Sequence, residues 1–497
     1  MRRLKQNHSV SAQRSISGFI PLTPVFQIGR RGKDECDRPQ VVRDCQAPVG
    51  KLFPYAWAYS MNSLALLSGS LIVAALWATS SVGAQPLPQG ESDVPLSSVV
   101  WTDAAFDRSA RRVTSDFFGM HLYRGIDAEE WPTVPFQTWR LHDAGTRWDE
   151  LQPERDRWEF DNLDTLITLA EQQSVDTVLV LGQTPAWASA RPDDPSPYDQ
   201  SGLPAEPANL EDWRAYVRTV ATRYRSQIDY YELWNEANFR WFYTGDIPTM
   251  VELAAVAYRE IKEIDPQAQV LSPSVIAGDY DVLEQPGDEW LAEYFAAGGD
   301  RYTDIVAAHF YLPRDLPPEW MVPQIEAVQQ VMAASSQSDK PLWNTETGFG
   351  RADTYPIDGD RAVGYVGRSH LVQWAAGVDR FQWYAWQNFN FVGLRMTEED
   401  GRMTAAAEAF GKIQEWLLDA RMGLCQIASD RTRTCPIARD NGDRGWILWN
   451  PNQTVHVLIP NWLQATHVRQ LTGEHIDIHT GSVVSVGEVP VLVERLH

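Results

Sequence analysis

Tyr230-Tyr231-Glu232-Leu233-Trp234-Asn235-Glu236-Ala237-Asn238 begins as an apolar, aromatic run suited to a buried strand and ends in a polar Asn-Glu pair. Core packing does not ask for a carboxylate and an amide at that place. Burying such groups is costly unless they are hydrogen-bonded or used for chemistry. A stretch of the same grammar, Pro341-Leu342-Trp343-Asn344-Thr345-Glu346-Thr347-Gly348, lies further along the chain. Two strand ends, each carrying a glutamate, suggest a paired-carboxylate enzyme.

Working outward from these stretches, one unit recurs: a short apolar run, a polar turn, then an amphipathic helical stretch. The strand candidates are Phe117–Leu122, Phe136–His142, Thr177–Leu181, Ile228–Trp234, Val270–Pro273, Asp304–Tyr311, Pro341–Glu346 and Phe381–Trp386. Helical stretches are read at Leu163–Gln173, Leu210–Tyr224, Met250–Ile264, Glu289–Ala297, Pro323–Ser335, Arg361–Ala376 and Thr404–Leu418, with a short one at Asp127–Trp131. Strands alternating with helices in this way predict an α/β fold, a (β/α)8 TIM barrel over residues 113–422. The competing doubly wound sheet usually shows a Gly-rich turn after its first strand, and none is present. From 423 to 497 the pattern changes to short strands between Asn, Asp, Gly and Pro turns, at Ile427, Trp446–Trp449, Val455–Pro460, His467–Leu471 and Val491–Leu496. That segment is expected to be a small C-terminal all-β module of the β-sandwich kind.

The N-terminal part reads differently. Residues 1–60 hold ten Lys/Arg against four Asp/Glu and no periodic pattern, and are expected to be a disordered basic extension or a misassigned start. Leu64 to Thr79 is apolar or small and uncharged, and Val82-Gly83-Ala84 follows as a small-residue cleavage site. Residues 61–84 therefore read as a signal peptide, with a signal anchor over residues 62–82 as the alternative. Both readings put the barrel outside the cytoplasm, secreted or periplasmic. Residues 85–112 read as a Pro/Gly/Ser-rich linker with an outlying strand at Val99–Phe106.

Composition narrows the partners. The 497 residues are 44% hydrophobic and carry a net charge of −23, which argues against nucleic acid or an anionic membrane surface. Twenty-one tryptophans are many; they fit either a Trp-rich core or flat faces on which sugar rings stack. The four cysteines, at 36, 45, 425 and 435, form two close pairs without CxxC spacing or a His cluster, so no metal site is expected. In an exported protein Cys425 and Cys435 could close a short disulfide loop.

In a barrel of this kind the active site lies at the C-terminal strand ends. The polar residues there are His121 on the first strand, Arg140, His142 and Asp143 on the second, and Gln183, Thr184 and Trp187 after the third. Asn235 and Glu236 end the fourth strand, His309 and Tyr311 the sixth, Glu346 the seventh, and Trp386, Gln387 and Asn388 the eighth. Two glutamates across a barrel mouth fit glycoside hydrolysis, where one carboxyl donates a proton and the other, ionised, attacks the anomeric carbon. Glu232 is read as a structural carboxylate within its strand, paired with a base such as an arginine.

Tyr231-Glu232-Leu233-Trp234-Asn235-Glu236-Ala237-Asn238, with Trp343-Asn344-Thr345-Glu346 downstream, resembles the retaining glycosidases of clan A, most closely family 39 with its β-xylosidases and bacterial endoglycosidases. Thr184-Pro185-Ala186-Trp187, His309-Phe310-Tyr311 and the tail Val486–Glu494 support the resemblance. It implies Glu236 as acid/base, Glu346 as nucleophile and Asn235 as a ligand of the sugar 2-hydroxyl. It further implies that Tyr311 tunes the nucleophile, that His309 supports its subsite, that Trp386 forms the floor under the sugar and that Arg140 keeps Glu346 ionised. His121 and Trp187 are further candidates for substrate binding. The usual Asn-Glu-Pro is here Asn-Glu-Ala, which alters the turn and not the reacting groups.

The reading that follows is a secreted retaining hydrolase of a β-linked poly- or oligosaccharide. Its competitors are a catalytically silent carbohydrate-binding barrel and a transglycosylase using the same carboxylates. No cofactor is expected.

Overall fold

The computed structural model describes residues 94–496 except 105–106, 124–130, 279, 281–282, 314–315, 350–355, 388–391 and 480. The basic extension, the apolar segment before Ala84, the short helix read at Asp127–Trp131, and Asn388 fall outside the described residues, wholly or in large part. Among the described residues no helix is long and apolar enough to cross a membrane.

Two short strands come first, β1 (Leu96–Ser97) and β2 (Arg111–Arg112). The barrel follows, from β3 (Phe118–His121), β4 (Thr138–Leu141), β5 (Asp176–Val180) and β6 (Tyr230–Glu232) to β7 (Gln269–Leu271), β8 (Val306–Ala308), β9 (Leu342–Thr347) and β10 (Arg380–Trp383). Neighbours run parallel in the order β7-β6-β5-β4-β3-β10-β9-β8. Bridges Leu271↔Ile305 and Ile276↔His309 join β7 to the β8 segment and close the ring. All eight predicted strands are present, which makes the fold a (β/α)8 barrel.

The helices between strands are α1 (Trp148–Leu151), α2 (Asp161–Gln173), α3 (Leu210–Arg223), α4 (Ile247–Ile264), α5 (Gly287–Ala296), α6 (Met321–Ala334), α7 (Gly359–Ala375) and α8 (Ala405–Leu417). Their apolar stripes face the sheet: α3 buries Trp213, Tyr216, Val217 and Val220 at helical spacing. Side chains of Asn209, Asp246 and Thr404 cap the first turns of α3, α4 and α8 by accepting from backbone N–H groups.

The C-terminal module has strands β11 (Arg421–Met422), β12 (Gln426–Ile427), β13 (Arg433–Ala438), β14 (Arg444–Trp449), β15 (Val455–Leu458), β16 (His467–Gln470), β17 (His475–Asp477), β18 (Val483–Val486) and β19 (Val491–Arg495). One sheet runs β17-β16-β19-β14-β13-β11-β2, with β12 also on β13, and a second runs β1-β15-β18. The two-residue alternation of β14 divides its labour. Trp446 and Leu448 join Val455, Val457 and Val486 in the space between the sheets, while Ile447 and Trp449 join the core shared with the barrel.

Helix α7 seats on this module. A side chain at Gly364 would put its Cβ 2.7 Å from the Glu488 carbonyl oxygen, so glycine lets the helix approach that closely. Arg368 beside it pairs with Glu319 at 3.1 Å and Glu488 at 3.4 Å. Cys425 and Cys435 are joined in a disulfide.

The outlying strand lies at Leu96–Ser97, beside β15, rather than at Val99–Phe106. Val99 and Trp101 owe their apolar character to packing, not pairing: both rest on the module core, and Trp101 meets Trp446 edge-on with ring centres 6.1 Å apart.

Candidate active site

Period-two alternation sorts β6 into two faces. Tyr231 and Leu233 pack outward in the main core, whereas Tyr230 clusters with Val178, Leu271, Ile305, Ala307 and Trp343 from neighbouring strands. This apolar plug fills the base of the barrel, and the Arg380 guanidinium stacks on it, 4.1 Å from the Trp343 ring centre and 4.8 Å from that of Tyr230. Two residues beyond Tyr230, Glu232 begins a polar layer.

Arg140, on β4, is the hub of that layer and is fully buried. It grips Glu232 with both arms, Nε to Oε2 at 2.9 Å and Nη2 to Oε1 at 2.7 Å. Nη2 also donates to the Asn235 side-chain oxygen at 2.8 Å, and Nη1 to Oε2 of Glu346 at 2.6 Å. Burial opposes the cation, but the two carboxylates outweigh it and hold its pKa above the ordinary arginine value. Planar five-donor geometry makes this threefold engagement possible, and a lysine could not reproduce it. With its oxygen turned to Arg140, Asn235 keeps its NH2 for other partners.

Glu346 owes its direction to a bulge. Phe381 of β10 pairs with Asn344, yet Trp383, two residues on, pairs with Thr347, so β9 carries one residue more than β10. An extra residue of this kind re-aims side chains and is common beside active sites. It lets both Thr345 and Glu346 face inward: Thr345 meets His309, and Glu346 meets Arg140 and the Tyr311 hydroxyl, which donates to Oε1 at 2.9 Å. Gly348 follows because any Cβ there would fall 1.9 Å from the Tyr384 carbonyl oxygen. Burial lifts the Glu346 pKa to about 7; Arg140 and the Tyr311 hydroxyl pull it down, and Asp143 pushes it up.

Glu236 sits on a left-handed turn, with φ of 45°. Its own N–H donates to the Ser274 hydroxyl at 3.1 Å, and the next N–H, of Ala237, donates to the Ser274 carbonyl at 2.9 Å. Proline at 237 would lack that N–H and would disfavour a helical-type backbone at the residue before it, so the Asn-Glu-Ala sequence and this turn belong together. Asn238 ties the turn down further, exchanging hydrogen bonds with the Ile276 backbone at 2.9 and 3.1 Å.

The carboxyl of Glu236 faces His309, whose Nδ1 lies 3.0 Å from Oε1 and whose Nε2 lies 3.1 Å from the Thr345 hydroxyl. Burial, followed by the charge on Arg140, holds the His309 pKa well below normal, so the imidazole is neutral. Glu236 therefore gains no cationic partner from it. Burial first, then the charge of Glu346, raises the Glu236 pKa well above the carboxylate range. One oxygen of Glu236, one of Glu346 and a ring nitrogen of His309 all lie within 4.8 Å of one another.

The remaining predicted positions separate into two groups. His121 is buried, its Nε2 2.5 Å from the His142 carbonyl and its ring edge-on to Tyr384; burial and Arg140 lower its pKa to about 3. Trp386 is buried just beyond β10, where its backbone N–H donates to the His121 carbonyl. Trp187 stands apart: its indole N–H is spent on the Gln152 carbonyl at 2.8 Å, and its ring packs against Trp148 and Arg155.

At the mouth, Asp143, a strand-end residue read from the sequence, meets partners that the sequence did not single out. Asp143, with φ of 55°, accepts from the hydroxyls of Tyr198 at 2.9 Å and Tyr384 at 3.4 Å. Tyr198 comes from the long loop after β5, where one tyrosine among Asp, Pro and Ser gives no signal. Its ring lies under the Arg147 guanidinium at 3.9 Å.

Residues 207–410 match the family model of the glycosyl hydrolase catalytic core. The chain is a glycoside hydrolase. The matched residues of this hydrolase include both glutamates, His309 and Tyr311, but end before the C-terminal module. Solved structures with the same fold include a family 39 glycoside hydrolase from Bacteroides cellulosilyticus WH2, at TM-score 0.60 and 14% identity, covering 77% of this chain and 82% of that one. A family 39 β-xylosidase from Caulobacter crescentus aligns at TM-score 0.57 and 17% identity, over 78% and 98% of the two chains. A family 30 subfamily 8 xylanase from Clostridium acetobutylicum aligns at TM-score 0.55 and 10% identity, over 78% and 97%. Among curated proteins nothing matches the hydrolase significantly.

Proposed function

We propose that the enzyme cleaves a β-linked poly- or oligosaccharide by double displacement, with net retention at the anomeric carbon, as a member of the family 39 type. The observation that carries this reading is the close approach of Glu236 and Glu346, whose nearer oxygens lie within 4.8 Å. Retaining enzymes hold their carboxyl groups about 5–5.5 Å apart, whereas inverting ones leave about 6.5–9.5 Å for a water.

In the first step the ionised Glu346 forms a bond to the anomeric carbon as the bond to the leaving oxygen breaks. Glu236 gives that oxygen its proton. Arg140 and Tyr311 hold Glu346 as the anion that this step needs. Formation of the ester removes the charge of Glu346, the neighbour that raises the Glu236 pKa most after burial. With its pKa lowered, Glu236 stays ionised after giving up its proton and is left as the carboxylate that the next step needs as base. In the second step it takes a proton from water, whose oxygen attacks the anomeric carbon and releases Glu346.

Asn235, its oxygen fixed by Arg140, offers its NH2 to the sugar hydroxyl beside the reacting carbon. His309 orients Glu236, and Trp386 and His121 close the floor on the β3 and β10 side. Trp187, packed under Arg155, serves the loop that frames the entrance. The segment read as a signal peptide or anchor and the Cys425–Cys435 bridge both suit an oxidising, extracytoplasmic location.

Incubation with a panel of 2-deoxy-2-fluoro glycosides, followed by peptide mass spectrometry, tests the proposal. Covalent modification at Glu346 by one of them is the expected outcome and also names the sugar. Labelling at another residue, or an inverted product by NMR, would overturn it.

A further inference from the structure

A second cluster of metal-capable side chains lies far along the chain, on the outer ribbon of the C-terminal module. His467 on β16 pairs directly across the ladder with Asp477 on β17, and His475 precedes Asp477 by two residues. Residues directly opposite and residues two apart share one face of a sheet. All three side chains therefore project on the same side. Nε2 of His467 lies 3.5 Å from Oδ1 of Asp477, and Nε2 of His475 lies 3.6 Å from that same oxygen. One ligand atom from each residue falls within 4.8 Å of the other two, and the imidazole rings meet edge-on with centres 4.7 Å apart.

We infer that His467, His475 and Asp477 form a zinc-binding site on this ribbon. Bonds of about 2.0–2.1 Å to nitrogen and oxygen in a tetrahedral shell place ligand atoms roughly 3.3 Å apart. The two nitrogen-to-oxygen separations already come within a few tenths of an ångström of that spacing. The remaining gap between the rings closes by rotation of the exposed His475 side chain. Two imidazoles and one carboxylate are a donor set suited to a borderline metal such as Zn2+, whereas Mg2+ and Ca2+ favour oxygen ligands alone.

Two further observations shape the site. The Thr466 hydroxyl is 2.7 Å from Nδ1 of His467. This contact orients the ring, and an Nδ1–H donating to the hydroxyl leaves Nε2 for the metal, as in zinc-bound histidines with outer partners. The Asp477 side chain is 85% exposed, so the shell opens to solvent and its remaining position is available to water. The three residues follow no linear zinc spacing, since seven residues separate the histidines. Only the ladder between β16 and β17 brings them together. The site would clip the edge strand β17, whose three residues are all exposed, to the rest of its sheet.

Glu236, His309 and Glu346 form the other cluster of comparable size among the described residues, so the test must tell the two apart. The full chain, stripped with a chelator, is titrated with Zn2+ by calorimetry and with Co2+ by visible absorption. The expected result is one saturable site per chain, unchanged in Glu346→Gln and at least about 10-fold weaker in His475→Ala and in Asp477→Asn. Zn2+ should also slow amide exchange at Ile476. Binding that persists undiminished in both ribbon variants, binding that vanishes in Glu346→Gln alone, or absence of saturable binding overturns the inference.

Discussion

Glu236 and Glu346 are the same residue type at the same end of the same barrel, each less than a tenth exposed, yet their surroundings are opposite. Glu346 faces a guanidinium and a hydroxyl donor; Glu236 faces a neutral imidazole. Burial raises both pKa values. For Glu346 the next influence is Arg140, which lowers it; for Glu236 it is the negative charge of Glu346, which raises it further. The pair therefore loses its first proton from Glu346 and keeps the second on Glu236. Proton placement is decided by what lies one contact away, and each side of the comparison can be broken separately.

The largest effect is expected from Glu346→Gln, which removes the anion proposed to attack the anomeric carbon. Turnover should fall on the order of 10⁴-fold or more with every substrate, whatever the leaving group. Glu236→Gln removes the proposed proton donor and should cost about 10²–10⁴-fold on natural glycosides. With aryl glycosides whose phenolate leaves unaided the first step should be largely spared, so a burst of phenol followed by slow turnover is the expected trace in stopped flow. If both variants responded alike to leaving-group acidity, the distinction between the two carboxylates would fail.

Arg140→Lys probes the hub that creates the difference. One ammonium cannot hold Glu232 with two bonds while also reaching Asn235 and Glu346. Losing part of the hub's charged hydrogen bonds destabilises by about 1.5–3 kcal/mol, measurable by denaturant unfolding. The surviving activity carries a sharper sign. Weakened support for the Glu346 anion raises its pKa, so the acid limb of kcat/KM should move to higher pH. An unshifted limb would mean that Arg140 serves Glu232 and the fold only.

The sequence made the frame legible because strands and helices bury on different periods, and every barrel strand from Phe118 to Trp383 kept its apolar run. The strand-end polar residues were legible for the opposite reason, being out of place in a core. Glu232 was readable as a paired structural carboxylate because it stands inside its strand. What escaped reading depends on contacts distant in sequence. The bulge that turns Glu346 inward exists only as a mismatch between β9 and β10. Asp143 stood among the strand-end polar residues, but its partner Tyr198 arrives from a loop without pattern. Strand β13 was missed because Pro436 argues against an interior strand, yet it lies between β11 and β14 in the ladder. The Asn-Glu-Ala departure gained its reason only from the Ser274 carbonyl that accepts the Ala237 N–H.

The smallest expected effect reads the same comparison through stability. Glu236 has a folded-state pKa raised above its ordinary value of 4.5, so the folded protein binds more protons than the unfolded chain between those two values. Stability contributed by this group is therefore fully present below about pH 4.5 and declines as pH rises through the folded pKa. Glutamine at 236 keeps the shape and never acquires the charge. Glu236→Gln should thus match the wild type near pH 4 and exceed it by about 1 kcal/mol in mildly alkaline buffer, as polar active-site residues commonly trade stability for function. Glu346→Gln should gain less, because the anion it removes is the one that Arg140 and Tyr311 support. Thermal melts of both variants across pH would show whether the two carboxylates differ in energy as they do in surroundings; equal gains would place the burden on burial alone.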